Sequence, residues 1–105
     1  MLEALMGMGL IDMHRSWSSD RGPGFASKGI VVSFVEGGPA SAYVDFESEL
    51  TMGRVSLWEN GLCDVELLSA ETGEQVLYQH HEGVGVDRLV LLLEGLVERI
   101  GEARP

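Results

Sequence analysis

The stretch Gly53-Arg54-Val55-Ser56-Leu57-Trp58-Glu59-Asn60-Gly61-Leu62-Cys63-Asp64-Val65-Glu66 decides how this chain folds. On either side of Glu59-Asn60-Gly61, apolar and polar residues alternate with period two, as in strands that bury one face. A three-residue connection with Gly61 in the left-handed conformation sets Leu57 against Cys63, Ser56 against Asp64, Val55 against Val65 and Arg54 against Glu66. Each of those pairs matches in polarity. A two-residue connection would set Leu57 against Asp64 and Val55 against Glu66. Because a slip of one residue turns a whole strand to the wrong face, the longer loop is preferred.

The same test extends outward. A loop at Ser48–Thr51 pairs Glu47 with Met52 and aligns Phe46, Val44 and Ala42 with Gly53, Val55 and Leu57. On the opposite face Asp45 meets Arg54 and Tyr43 meets Ser56. A turn over Ala70-Glu71-Thr72-Gly73 aligns Leu67 with Val76, Val65 with Tyr78 and Cys63 with His80. Around Gly37-Gly38 two registers stay open: a three-residue loop sets Ile30 against Val44 and Val32 against Ala42 facing inward, and a two-residue loop reverses the first strand. Five strands are therefore expected, near 29–35, 40–47, 52–58, 62–68 and 75–80.

Helical periodicity flanks this region. Leu2, Leu5, Met6, Leu10, Met13 and Trp17 recur at spacings of three and four, which predicts a helix over 2–17. Gly7 and Gly9 weaken it, by up to ~1 kcal/mol each relative to Ala. It is expected to end before Ser18-Ser19-Asp20, with Gly22-Pro23-Gly24 in a loop. Past Gly83-Val84-Gly85, the residues Val86, Leu89, Val90, Leu93, Leu96, Val97 and Ile100 form a broad apolar stripe, giving a helix over 86–100 with Gly101 as its stop. Leu91 and Leu92 widen that stripe, which suits either deep burial or contact with a partner. The expected architecture is α+β: one domain over 1–105, a five-stranded antiparallel meander (29–80) with both helices on one face. Its outer face would carry Tyr43, Asp45, Glu47, Arg54, Trp58, Asp64, Glu66 and Gln79.

Charge sharpens the reading. The 105 residues include 7 Lys+Arg against 17 Asp+Glu, a formal charge of −10. Residues 36–82 hold Glu36, Asp45, Glu47, Glu49, Glu59, Asp64, Glu66, Glu71, Glu74 and Glu82 against Arg54 alone, whereas residues 1–35 balance three acids with three bases. Such a surface argues against direct contact with nucleic acid or anionic membranes. With 45% hydrophobic and 23% charged residues the chain is no disordered acidic tail. No apolar run approaches the ~18–20 residues of a membrane span. Met1-Leu2-Glu3-Ala4-Leu5 lacks the basic region of a signal peptide, and the single Cys63 fits a reducing cytoplasm.

Chemistry is sparse. His80 and His81 are neighbours on a strand, so their rings diverge and do not chelate one metal. Cys63 opposite His80 is a conceivable nucleophile pair, but without an oxyanion loop or a third member a buried thiol beside a histidine is the better reading. Asp12 and Ser16 near His14 do not define a triad. The glycines at 22–24, 37–38 and 83–85 match no phosphate loop. Asp45, Glu47, Asp64 and Glu66 alternate along strands beside Arg54 and form no calcium loop. No catalytic residue, metal or cofactor is expected, and the chain reads as no enzyme. An acidic sheet face bearing Tyr43 and Trp58 instead suits a basic protein surface, aromatics supplying contact energy and carboxylates orienting the encounter. The plainer alternative is a solvated face with one exposed tryptophan.

The stretch 53–66, running on into Glu71-Thr72-Gly73-Glu74 and His80-His81-Glu82, resembles the TriTu family of immunity proteins from bacterial polymorphic-toxin and contact-dependent inhibition systems. The likeness covers roughly 28–100, and its most recognisable part is Trp58-x-x-Gly61-x-x-Asp64-x-Glu66. The resemblance implies a cytoplasmic, non-enzymatic protein that binds one cognate toxin domain and silences it. The expectation is then a protein, monomeric when free, whose acidic face occludes a basic active-site cleft. Tyr43 and Trp58 would be its anchors, Asp45, Glu47, Asp64 and Glu66 its charged contacts, and Arg54 the group holding Asp45 and Glu66 in place. A small acidic secretion chaperone, gripping an effector and dimerising through Leu91 and Leu92, is the alternative.

Overall fold

The computed structural model describes residues 9–38 and 40–102. Alternating burial builds an antiparallel sheet in chain order from β1 (Val31–Gly38), β2 (Ser41–Glu47), β3 (Thr51–Trp58), β4 (Cys63–Ser69) and β5 (Gln75–His81). Helices α1 (Leu10–Ala26) and α2 (Val86–Glu102) flank it, an α+β arrangement as expected. The β3–β4 turn is the predicted one: Trp58 N–H donates to the Leu62 carbonyl and Gly61 N–H to the Trp58 carbonyl, both at 2.9 Å. Gly61 sits at φ 92°, where a side chain would be strained. Leu57 pairs with Cys63, Val55 with Val65 and Arg54 with Glu66. The β2–β3 pairing is also as read, with Phe46 opposite Gly53 and Asp45 opposite Arg54.

The outer hairpins correct the reading. On β5, Leu68 pairs with Gln75 but Leu67 with Leu77, so Val76 is an extra residue in a bulge. That single insertion turns Leu77 toward the core side and puts Tyr78 and His80 on the outer face, opposite Glu66 and Asp64. Cys63 therefore faces His81 rather than His80, and Gln79 leaves the outer face. On β1 neither considered register occurs: Val32 opposes Phe46 and Phe34 opposes Val44, with an irregularity between Glu36 and Gly38. Running both strands out through Gly38 and Ser41 brings Val32 and Phe34 against the core, while Ile30 is buried just ahead of the strand.

The first helix also departs from expectation. It does not end before Ser18 but continues through Gly22-Pro23-Gly24 to Ala26; the stretch 2–8 of the expected helix lies outside the described residues. His14, Trp17, Ser18, Gly22 and Phe25 make one buried stripe along it, and the rings of Trp17 and Phe25 lie 5.8 Å apart. Gly22 faces Val32 of β1, where an added Cβ would make ordinary contact at 3.5 Å from Val32 Cβ. Arg21 lies over the Phe25 ring and pairs with Glu94 of α2 at 2.7 Å. This packing outweighs the several kcal/mol that interior glycine and proline cost a helix.

In α2, Leu89, Leu93, Leu96 and Ile100 face inward, and the helix runs through Gly101, the expected stop, to Glu102. It crosses the sheet at Gly53, where an added Cβ would meet Leu96 Cδ2 at 3.2 Å. Val44, Phe46, Val55, Leu57, Cys63, Val65 and Leu67 close the core from the sheet side. With both helices on this face, the other face of the sheet carries no covering element among the described residues.

Candidate protein-interaction face

Strand parity and register together lay out the open face as rows. The central row is Ser33, Asp45, Arg54, Glu66 and Tyr78; the next is Val35, Tyr43, Ser56, Asp64 and His80. Trp58 lies beyond it opposite Ser41, and on the other side Val31, Glu47, Met52 and Leu68 form a third row. All seven residues singled out in the sequence, Tyr43, Asp45, Glu47, Arg54, Trp58, Asp64 and Glu66, share this surface.

Its centre is internally bonded. Arg54 donates from Nε to Asp45 Oδ1 at 2.6 Å and from Nη2 to Asp45 Oδ2 at 3.0 Å, a two-pronged pair. The same guanidinium lies 3.9 Å above the Tyr43 ring. The bond to Asp45 raises the Arg54 pKa, so the cation is permanent. Arg54 does not hold Glu66 as well. That carboxylate accepts instead from Gln75 Nε2 at 3.2 Å. Asp64 Oδ1 lies 2.5 Å from His80 Nδ1, and Glu82 approaches His80 Nε2 at 3.4 Å. The hydrogen bond to Asp64 raises the His80 pKa, favouring imidazolium.

Around that centre the face is more apolar than the sequence suggested. Trp58 is 37% exposed, and Val31, Val35, Met52 and Tyr78 are exposed by 57%, 38%, 42% and 52%. The parity of Met52 with Arg54 already put it outside; Tyr78 was hidden by the bulge, and Val31 and Val35 by the unsettled first register. Large apolar groups among fixed charges make a mixed surface of the kind that suits contact with another protein.

The remaining candidates are structural. Cys63 is fully buried, and burial pushes its thiol pKa up to about 11, so it holds no thiolate at neutral pH. Across from it, His81 Nδ1 accepts from Arg88 Nη2 at 3.0 Å and its Nε2–H donates to Gln79 Oε1 at 3.0 Å. His14 is fully buried and donates from Nε2 to the Val55 carbonyl at 3.1 Å, with burial lowering its pKa to about 4. Among the described residues no group of three or more His, Cys, Asp or Glu is placed to hold a metal ion, and no helix is long and apolar enough to cross a membrane.

The family model for Immunity protein TriTu matches residues 12–99, a span that takes in both helices and every strand. The chain belongs to the TriTu family of immunity proteins. No curated protein and no solved structure matches it. Membership assigns this TriTu protein a toxin-neutralising role and a cognate toxin protein as partner. The match extends well N-terminal of the stretch that carried the resemblance, so α1 is part of the TriTu fold and no appendage.

Proposed function

We propose that this TriTu protein acts as a stoichiometric inhibitor in the cytoplasm, monomeric until it meets its toxin, and lays its open sheet face over the toxin's active site or substrate groove. The observation that carries this reading is a sheet face that no helix covers among the described residues, studded with exposed Trp58, Tyr78, Met52, Val31 and Val35. Four inter-strand spacings by seven residues give roughly 19 Å by 24 Å, about 460 Å² before side-chain relief. That is more than half of the ~800 Å² one partner contributes to a standard interface.

Roles follow from the bonding. Trp58 and Tyr43 are the anchors, with Tyr78 beside them. Arg54 fixes Asp45 and stiffens Tyr43, so these groups meet the toxin already oriented and lose little freedom on binding. Glu47 and Glu66 keep their charge without a cationic partner within ion-pair distance among the described residues, and they address Lys or Arg lining a basic cleft. Asp64 is instead engaged by His80, which fixes its position on the face.

The test is binding kinetics against the cognate toxin domain, at two ionic strengths. Trp58→Ala should mainly raise the dissociation rate, costing on the order of 2–4 kcal/mol if the ring fills a pocket. Glu47→Ala should mainly slow association, and less so at high salt. A tight complex indifferent to both salt and Trp58 would rule out the sheet face as the inhibitory surface.

A further inference from the structure

On the helix side of the sheet, cover is uneven. α2 seats over β3, and β5 overhangs it, so Leu77 is only half-buried and Gln79 is exposed although both point to the core side. Between them and α2 runs a groove with Leu77, Leu92 and Leu96 in its walls, open at Leu91, which is 72% exposed. Gly95 keeps it open: a Cβ built there meets nothing within 4 Å. The groove continues past Arg99 and Glu102 into a second hollow beneath Leu50 and Val76, both exposed apolar residues. The two hollows measure about 300 and 580 Å³, room for several aliphatic or aromatic side chains.

Charge identifies the occupant. Glu49, Glu71, Glu98 and Glu102 line the groove against Arg99 alone. None of these five forms an ion pair with a described residue, unlike Asp45, Asp64, Glu36 and Glu94 elsewhere. An apolar floor with an unneutralised acidic rim fits a segment carrying leucine-like or aromatic side chains between lysines or arginines. A second copy of this chain is the wrong sign: at −10 per molecule, the same four carboxylates would face one another.

We propose that the groove between α2 and β5 docks a basic, apolar-bearing segment of the toxin, a second contact on the opposite side of the sheet from the open face. This rests on the immunity reading but not on the sheet-face mechanism. The toxin is gripped on both sides of β5, which makes that edge part of the interface.

Gly95→Arg tests it. The site is exposed and sterically open, and arginine is a better helix former than glycine, so the variant keeps the fold. Its side chain fills the groove and adds charge of the partner's own sign. With the cognate toxin domain as the probe, affinity should fall roughly tenfold or more at unchanged or raised thermal stability. Gly95→Glu fills the same space with the opposite sign and should lose clearly less, which separates charge from bulk. Unchanged affinity for Gly95→Arg overturns the groove proposal. If Trp58→Ala weakens the same complex, the sheet-face reading survives that failure. Loss with Gly95→Arg but not with Trp58→Ala leaves the groove standing and removes the sheet face. Sedimentation of the free protein supplies the last arm: a dimer that Gly95→Arg dissociates assigns the groove to self-association and overturns the proposal.

Discussion

His14 makes stability depend on pH in a way that can be isolated. Its ring is fully buried on α1, Nε2–H donates to the Val55 carbonyl, and Nδ1 has no hydrogen-bond partner. A second proton would have to go on Nδ1, facing no acceptor and with the Phe34 ring 6.0 Å away. Burial accordingly lowers the pKa from 6.5 to about 4. The unfolded chain therefore binds a proton that the folded chain refuses. Stability from this group is complete above pH 6.5 and declines as pH falls toward 4, where the loss levels off near 3 kcal/mol; at pH 5 it is about 2 kcal/mol. His80 works in the opposite sense, its raised pKa stabilising at low pH and fading as pH rises. The His80 effect and those of the carboxylates are shared by a His14→Gln variant, which does not titrate at position 14. Urea unfolding of both proteins at pH 7.5 and 5 gives the comparison. Wild type should lose about 2 kcal/mol more than His14→Gln over that interval, whatever the variant's starting stability. Parallel losses would refute the argument, as would an NMR titration showing His14 protonating near pH 6.5 in the native state.

Three further outcomes follow from the packing. Gly53→Ala puts a methyl 3.2 Å from Leu96 Cδ2 and 3.4 Å from Leu67 Cδ1, both buried side chains that must each give by a few tenths of an ångström, so it should cost about 1 kcal/mol by thermal or urea unfolding. Leu93→Ala empties a fully buried site under α2 and should cost ~2–5 kcal/mol in the same assay. Cys63 should react with a thiol reagent only as fast as the protein unfolds, and Cys63→Ala should leave toxin neutralisation intact; rapid labelling of native protein would show that burial is not holding the thiol neutral.

The centre of the fold was legible because its information is local. Between Tyr43 and Glu66 every residue either alternates in polarity or belongs to a short turn, and one glycine with positive φ fixes the register. Farther out the determinants are tertiary. Nothing in Gln75-Val76-Leu77 announces a bulge; it exists because Leu77 rather than Val76 then faces the core side, and it reassigns His80, Tyr78 and Gln79 at a stroke. Gly22-Pro23-Gly24 reads as a loop in any local scheme, yet Trp17 and Phe25 are one buried stripe and hold the helix together across it. Of the candidate interaction face, the seven residues from Tyr43 to Glu66 follow from parity, whereas the bulge brings His80 and Tyr78 onto it and takes Gln79 off. Val31 and Val35 depend on the unsettled first register, and the groove beside α2 depends on how far β5 overhangs, which no sequence pattern carries.

The acidity of the middle segment divides into two parts that do different work. Asp45 is bonded to the permanent cation Arg54 on the open face, so its charge is nearly cancelled at a distance, and Asp64 is held by His80, whose protonation it favours. Glu47, Glu49 and Glu71 have no such partners among the described residues and lie toward one end of the sheet, in the third row and the adjoining turns. On the proposed sheet-face mechanism, the long-range field that steers a basic toxin would come from that end, within reach of a Debye length of ~8 Å at physiological salt. Contact energy would come from Trp58, Tyr43 and Tyr78, so that steering and holding would rest on separate residues that can be altered independently. A toxin variant that gains or loses surface lysines should then change how fast the pair forms, while its fit against the aromatic groups should decide how long the pair lasts.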